Sequence, residues 1–269
     1  MFKKIGFIGA GKMASAIIKG LLNSNFIQSN NLIASQAEIE TLEEKSKELG
    51  IQVVLDNKKV IEFSDVIIIA TKPNQVVDIL KEITPYVTEK KLLVSIAAGI
   101  TTKKLETNLP PKTHVIRVMP NTPALVGEGM SALVGGTYAT NADLSYAQNL
   151  LSNIGKCILV DSEEQMDIVT AISGSGPAFF YKVINEIARA GEKLGLDYEK
   201  SLLLSIQTAI GSAKMALNRN VTMETLIANV ATKGGCTRVG VDCMDEYNTE
   251  QIFSTVIEKT TQKANELGK

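Results

Sequence analysis

The chain has 269 residues, 45% of them hydrophobic and 21% charged. That balance fits one large folded domain or two modest ones, and it excludes a disordered chain, a collagen-like chain and a disulfide scaffold. With 28 basic against 29 acidic residues the net charge is −1, which favours neither nucleic acid nor an anionic membrane as a partner.

Met1-Phe2-Lys3-Lys4 opens like the basic start of a secretory leader, but Gly9, Gly11 and Lys12 interrupt the apolar run that follows, so no export signal is expected. No apolar stretch approaches the ~18 residues of a membrane helix. Cys157, Cys236 and Cys243 show no metal-ligand spacing, and His114 is the one histidine. We therefore expect reduced thiols in a cytoplasmic protein without a metal site. His114 sits just before an apolar run and reads as a packed residue rather than a catalytic base.

The first strand, residues 5–8, runs into Gly9-Ala10-Gly11-Lys12-Met13-Ala14. This G-x-G-x-x-A pattern follows a strand and opens a helix over residues 13–22, the context a dinucleotide fingerprint requires. Gly9 suits the tight turn, Gly11 lets backbone approach a pyrophosphate, and Ala14 lets helix and strand pack closely. The dipole and free N–H groups of the helix start then hold phosphate. Further strand-like runs cover residues 32–34, 53–55, 66–70, 92–96, 115–119, 130–134 and 158–160. Several are apolar at every position, as strands covered on both faces by helices must be. Strand and helix in alternation predict a Rossmann-type α/β domain with a parallel sheet over residues 1–161.

The second strand ends at Ser35-Gln36-Ala37, with no carboxylate before Glu38 to hold a ribose 2′-hydroxyl. Ser35 and Gln36 can donate to a 2′-phosphate, so NADPH is the expected cofactor, with NADH possible. The strand ends Ala70-Thr71-Lys72-Pro73 and Ser95-Ile96-Ala97-Ala98 face the same crevice, and their small residues leave room for a nicotinamide. The bland reading of Lys72 is a solvated surface charge, the lesser of the two.

After Asp161 the strand-like runs cease. Helices are expected over residues 177–194, 197–218, 222–231 and 249–267, giving an all-α C-terminal domain over residues 162–269. One apolar stripe carries Tyr181, Ile184, Ile187, Ala188, Gly191 and Leu194; the next helix aligns Leu202, Ile206, Ala209, Ile210, Ala213 and Leu217. A segment this apolar needs burial, and so short a domain cannot supply it alone, which predicts a homodimer. Ser173-Gly174-Ser175-Gly176-Pro177 and the stretch from Thr232 to Gly240 are read as loops before helix starts. Their bare N–H groups suit a small carboxylate, although plain loop punctuation reads as well.

Taken together, Ile5-Gly-Phe-Ile-Gly-Ala-Gly-Lys-Met13, Lys72-Pro73, Arg117-Val-Met-Pro-Asn-Thr-Pro123, Asp167 to Pro177 and Gly234-Gly-Cys-Thr237 resemble the pyrroline-5-carboxylate reductases along essentially the whole chain. The resemblance implies hydride transfer from NAD(P)H to the imine carbon of 1-pyrroline-5-carboxylate, yielding L-proline. It implies a homodimer built on the helical domain, with larger rings of dimers known in such proteins. By motif position, Ile8, Gly9, Ala10, Gly11, Lys12, Met13, Ser35, Asn57, Ala70, Thr71, Lys72, Pro73, Ile96, Ala97 and Ala98 should contact the cofactor, joined by Asn229. Glu163, Cys236 and Thr237 should line the substrate pocket, the Thr237 hydroxyl bonding the ring nitrogen as the catalytic contact. Lys233 and Cys236 depart from the Pro and the hydroxyl or methyl residue usual there. That leaves open a relative with altered substrate or no catalysis. A beta-hydroxyacid dehydrogenase, with Lys182 or Lys193 as its lysine, is the other alternative.

Overall fold

In the computed structural model, residues 4–218 and 220–268 are described; residues 1–3, where the export-signal reading begins, lie outside them. The chain divides into two compact units, residues 1–175 with 260–269, and Gly176–Lys259.

The first unit alternates strands and helices as expected: β1 (Ile5–Ile8), α1 (Lys12–Asn23), β2 (Leu32–Ser35), α2 (Leu42–Leu49), β3 (Gln52–Val54), α3 (Asn57–Phe63), β4 (Val66–Ile69), α4 (Val76–Ile83), β5 (Leu92–Ser95), α5 (Thr102–Thr107), β6 (His114–Met119), β7 (Gly129–Gly135), α6 (Asn141–Leu151), β8 (Gly155–Leu159) and α7 (Gln165–Val169). They build one sheet ordered β3-β2-β1-β4-β5-β6-β7-β8. Strands β1, β2, β4 and β5 are buried at every residue, the direct outcome of their unbroken apolar runs. Side chains alternate between two core layers. Ile5, Phe7 and Ile68 meet Ile17 and Leu21 of α1 on one face. Ile8, Ile67 and Ile69 meet Val60, Val76 and Leu80 on the other.

The sheet is parallel except at one place. β7 runs antiparallel to β6, and the parallel pattern resumes between β7 and β8. Only a short segment with one 3-10 turn, Thr122–Val126, joins β6 to β7. A parallel return needs a crossover of about a dozen residues or more, so this link forces the chain to double back.

A second departure concerns residues 173–177. The expected loop is wound into a π-helical turn, Thr170–Gly174, directly after α7. In a regular helix the Ser173 carbonyl would accept from residue 177, but Pro177 has no N–H. Asn121 Nδ2 donates to that carbonyl instead, at 3.0 Å, while Asn121 Oδ1 accepts from Met130 N at 2.8 Å. The Arg117–Pro123 motif thus serves to tie β6 and β7 to the π turn.

The second unit is helical: α8 (Gly176–Lys193), α9 (Tyr198–Ala216), α10 (Met223–Val230), α11 (Cys236–Glu246) and the first part of α12 (Thr249–Gly268). α8 and α9 approach closely where Gly191 faces Ser201; a Cβ on Gly191 would stand 2.7 Å from Ser201 Oγ. The residues α9 buries are Ser201 and Ser205, not its leucines. Tyr181, Ile187 and Leu194 of the expected α8 stripe are more than half exposed in the single chain, as are Phe180, Leu203 and Leu204. The small residues pack the helix pair internally, and the large apolar residues form an outer face.

Candidate functional site

The carboxyl ends of β1, β2 and β4 open into a cavity of about 1020 Å³. Its wall contains Ile8, Gly9, Ala10, Gly11, Lys12, Ser35, Asn57, Ala70, Thr71 and Lys72 from the expected cofactor set. Met13, Pro73, Ile96, Ala97 and Ala98 lie outside that wall. Met13 and Ile96 pack against the core, and Ala97 is buried within it.

The fingerprint glycines differ in what requires them. Gly9 holds φ +98°, and a Cβ there would stand 2.8 Å from the Ala70 carbonyl oxygen. Gly11 has ordinary φ, and a Cβ there would meet nothing within 4 Å. Open space therefore lies directly before the first turn of α1, and no side chain caps that turn. Its first N–H groups have no acceptor among the described residues and are fit to hold a pyrophosphate. The Thr71 hydroxyl in the same wall is buried and has no hydrogen-bond partner among the described residues. A buried hydroxyl left alone is costly, and a bound cofactor would relieve it. The turn, the uncapped helix and the orphaned hydroxyl fit a dinucleotide.

At the end of β2 the geometry differs from the simple expectation. Ser35 Oγ donates to Asn57 Oδ1 at 2.6 Å, and Asn57 Nδ2 donates to Glu82 Oε2 at 3.1 Å. Gln36 Nε2 donates to the Glu38 carbonyl at 2.7 Å and to Thr41 Oγ1 at 3.0 Å. The donors expected to meet a 2′-phosphate are thus engaged within the protein. Farther along the same wall, hydrogen bonds from Lys19 and then Lys45 pull the Glu48 carboxyl down to about 2.

Glu163 lies just before α7, and its carboxylate is fixed from two sides. Thr102, at the start of α5, donates from Oγ1 at 2.6 Å and from N at 3.3 Å. Arg117 Nη1 on β6 donates at 2.5 Å to the other oxygen. Arg117 is 2% exposed, and its second nitrogen reaches Asp167 at 3.5 Å. Asn265 of α12 donates to the other Asp167 oxygen at 3.1 Å. Glu163 thus joins the β5–α5 turn to β6. Thr102 and Arg117 as its partners, and the Asp167–Asn265 pair behind Arg117, were missed because each comes from a different element.

Asn229, Cys236 and Thr237 belong to the helical unit. Asn229 is exposed near the end of α10, and Cys236 is exposed as the first residue of α11. Thr237 is half-buried in the first turn of α11. Gly234 takes φ +78°, and Gly235 caps α11 without a side-chain bond. Among the described residues that start leaves the Cys236 and Thr237 N–H groups without an acceptor, the environment expected for a small carboxylate. Lys182 pairs with Glu186 at 3.0 Å on an exposed surface, a solvated helix pair rather than a catalytic lysine.

Among the described residues no helix is long and apolar enough to cross a membrane. Residues 163–267 match the family described as pyrroline-5-carboxylate reductase dimerisation. Residues 4–99 match the family described as NADP oxidoreductase, coenzyme F420-dependent. The chain is 37% identical to the pyrroline-5-carboxylate reductase of Methanosarcina acetivorans, over 99% of this chain and 98% of that one. The solved pyrroline-5-carboxylate reductase of Coxiella burnetii superposes with a TM-score of 0.94 at 30% identity, covering 99% of both chains. The Plasmodium falciparum pyrroline carboxylate reductase, solved with NADP bound, gives 0.87 at 32% identity over 99% of this chain and 98% of that one.

Proposed function

The chain belongs to the pyrroline-5-carboxylate reductase family, and on that premise we propose how its own residues reduce 1-pyrroline-5-carboxylate to L-proline. The observation that carries this reading is the end-to-end likeness to those reductases. When bound, NADPH, or NADH in its place, supplies the hydride that the imine carbon receives. The uncapped start of α1 holds the pyrophosphate between Gly9 and Met13, and Thr71 donates its free hydroxyl to the cofactor. Ser35 and Asn57 meet the adenosine ribose. Ala70, Lys72, Pro73, Ile96, Ala97, Ala98 and Asn229 complete the cofactor contacts.

A protonated cyclic imine is already an electrophile, so the protein needs neither a metal nor a covalent nucleophile. It must hold the ring in place and satisfy one carboxylate and one N–H. The start of α11, with Cys236 and Thr237, receives the carboxylate. The Thr237 hydroxyl accepts from the ring N–H and serves as the catalytic contact. Glu163, fixed by Arg117 and Thr102, lines the pocket as a positioned acceptor. Residues 1–161 bind the nucleotide; residues 162–269 bind substrate and join the chain to a second copy as a homodimer. Three free thiols support a cytoplasmic setting for the reaction.

Purified protein supplied with NADPH and racemic pyrroline-5-carboxylate should lose nicotinamide absorbance and accumulate proline. NADPH binding without turnover would instead mark a non-catalytic relative. Oxidation of a 3-hydroxyacid would favour the dehydrogenase reading.

A further inference from the structure

Glu82 of α4, Asn57 at the start of α3 and Ser35 at the end of β2 share the wall of the nucleotide cavity. They form a directed relay, with Ser35 Oγ 2.6 Å from Asn57 Oδ1 and Asn57 Nδ2 3.1 Å from Glu82 Oε2. Its direction follows from chemistry. An ionised carboxylate offers only acceptors, so Glu82 must face the amide nitrogen of Asn57. Asn57 then presents its oxygen to Ser35, and the single hydroxyl proton of Ser35 is committed to it. Only lone pairs remain on Ser35 Oγ for a ligand.

The end of β2 is where this fold places the adenosine ribose. A free 2′-hydroxyl can donate to the Ser35 lone pair. A 2′-phosphate dianion brings acceptors and meets an acceptor. The neighbouring Gln36 amide offers no relief, since it already donates to Glu38 and Thr41. We propose that Glu82 is a specificity-determining positioning residue: acting through Asn57, it makes Ser35 an acceptor and so favours NADH against NADPH. The inference rests on the nucleotide-binding half of the reading above.

Glu82→Gln tests it. Glutamine can donate to Asn57 Oδ1, which lets the Asn57 amide invert, donate to Ser35 and release the Ser35 proton towards the phosphate. Calorimetric titration of the full-length protein with NADPH and with NADH gives the ratio of the two affinities. Glu82→Gln should raise that ratio in favour of NADPH by roughly tenfold, the size of one hydrogen bond to a charged group. The rise should vanish when Ser35→Ala is added. Asp78→Asn removes an exposed carboxylate from the same wall outside the relay, and should move the ratio by less than about twofold. The proposal is overturned if Glu82→Gln leaves the ratio unmoved, if Asp78→Asn moves it equally, or if the rise survives Ser35→Ala. Binding is read without substrate, so a failure of reductase activity would contradict the proposed function and leave this ratio readable.

Discussion

Gly11 matters for what is absent beside it. Its φ is one any residue adopts, and a Cβ would meet nothing within 4 Å. Gly11→Val should therefore fold with an unchanged melting temperature. The branched side chain would instead fill the space before α1, and NADPH affinity should fall roughly ten- to hundredfold, the range for about 1–3 kcal/mol of overpacking. Titration calorimetry and a thermal melt on one preparation check both halves; retained affinity would refute the placement of the phosphates. Thr237→Val keeps shape and loses the hydroxyl. Turnover should fall on the order of 100-fold while NADPH affinity stays put, and an equal loss of both would contradict a substrate-only role. The fingerprint was legible because its residues are consecutive. The supports of Glu163 were not, because Arg117 and Thr102 reach it across 46 and 61 residues of sequence. The Ser35–Asn57–Glu82 relay spans β2, α3 and α4 in the same way, and no spacing rule points to it.

Among the elements, α6 carries the clearest pH-dependent anchor. Thr140 and Asp143 form a capping box at its start, and His114 Nδ1 lies 2.7 Å from Asp143 Oδ2. Burial would raise the Asp143 carboxyl. Hydrogen bonds from the Thr140 hydroxyl and backbone N–H, and then from His114, outweigh burial and hold it below its ordinary value of 3.8. A depressed carboxyl stabilises the fold above its unfolded value, and that stabilisation is lost as pH falls through the lower folded value. Thr140→Ala should cost about 1 kcal/mol at neutral pH and move the acid limb of unfolding to higher pH. Urea melts at neutral and acid pH measure both, and an unmoved acid limb would contradict the role given to Thr140. The unbroken apolar runs of β1, β2, β4 and β5 announced those strands because double burial dictates their composition. The reversed direction of β7 was not legible from composition; it follows from the short link after β6. The π turn escaped because glycine and serine suggest a loop, whereas the Asn121 side chain satisfies the Ser173 carbonyl at the Pro177 gap.

At the scale of the whole molecule, the helical unit leaves large apolar residues uncovered on the single chain, Leu203 and Leu204 among them. A second copy accounts for that face, as the match to a dimerisation family requires. Replacing both leucines by aspartate should convert the dimer to monomer at micromolar concentration in a sedimentation experiment, and should make melting independent of protein concentration. A variant that still sediments as a dimer would move the interface elsewhere. The apolar helix pattern was legible as a demand for burial. Which residues meet that demand was not: serines and a glycine close the α8–α9 pair, and the leucines point outward. The central claim is direct transfer of hydride from nicotinamide to the imine carbon. NADPH deuterated at the transferring position, turned over with pyrroline-5-carboxylate, should place the label on the δ-carbon of L-proline with none washed into solvent. Proline formed without the label at that carbon, or label lost to water, would contradict the account.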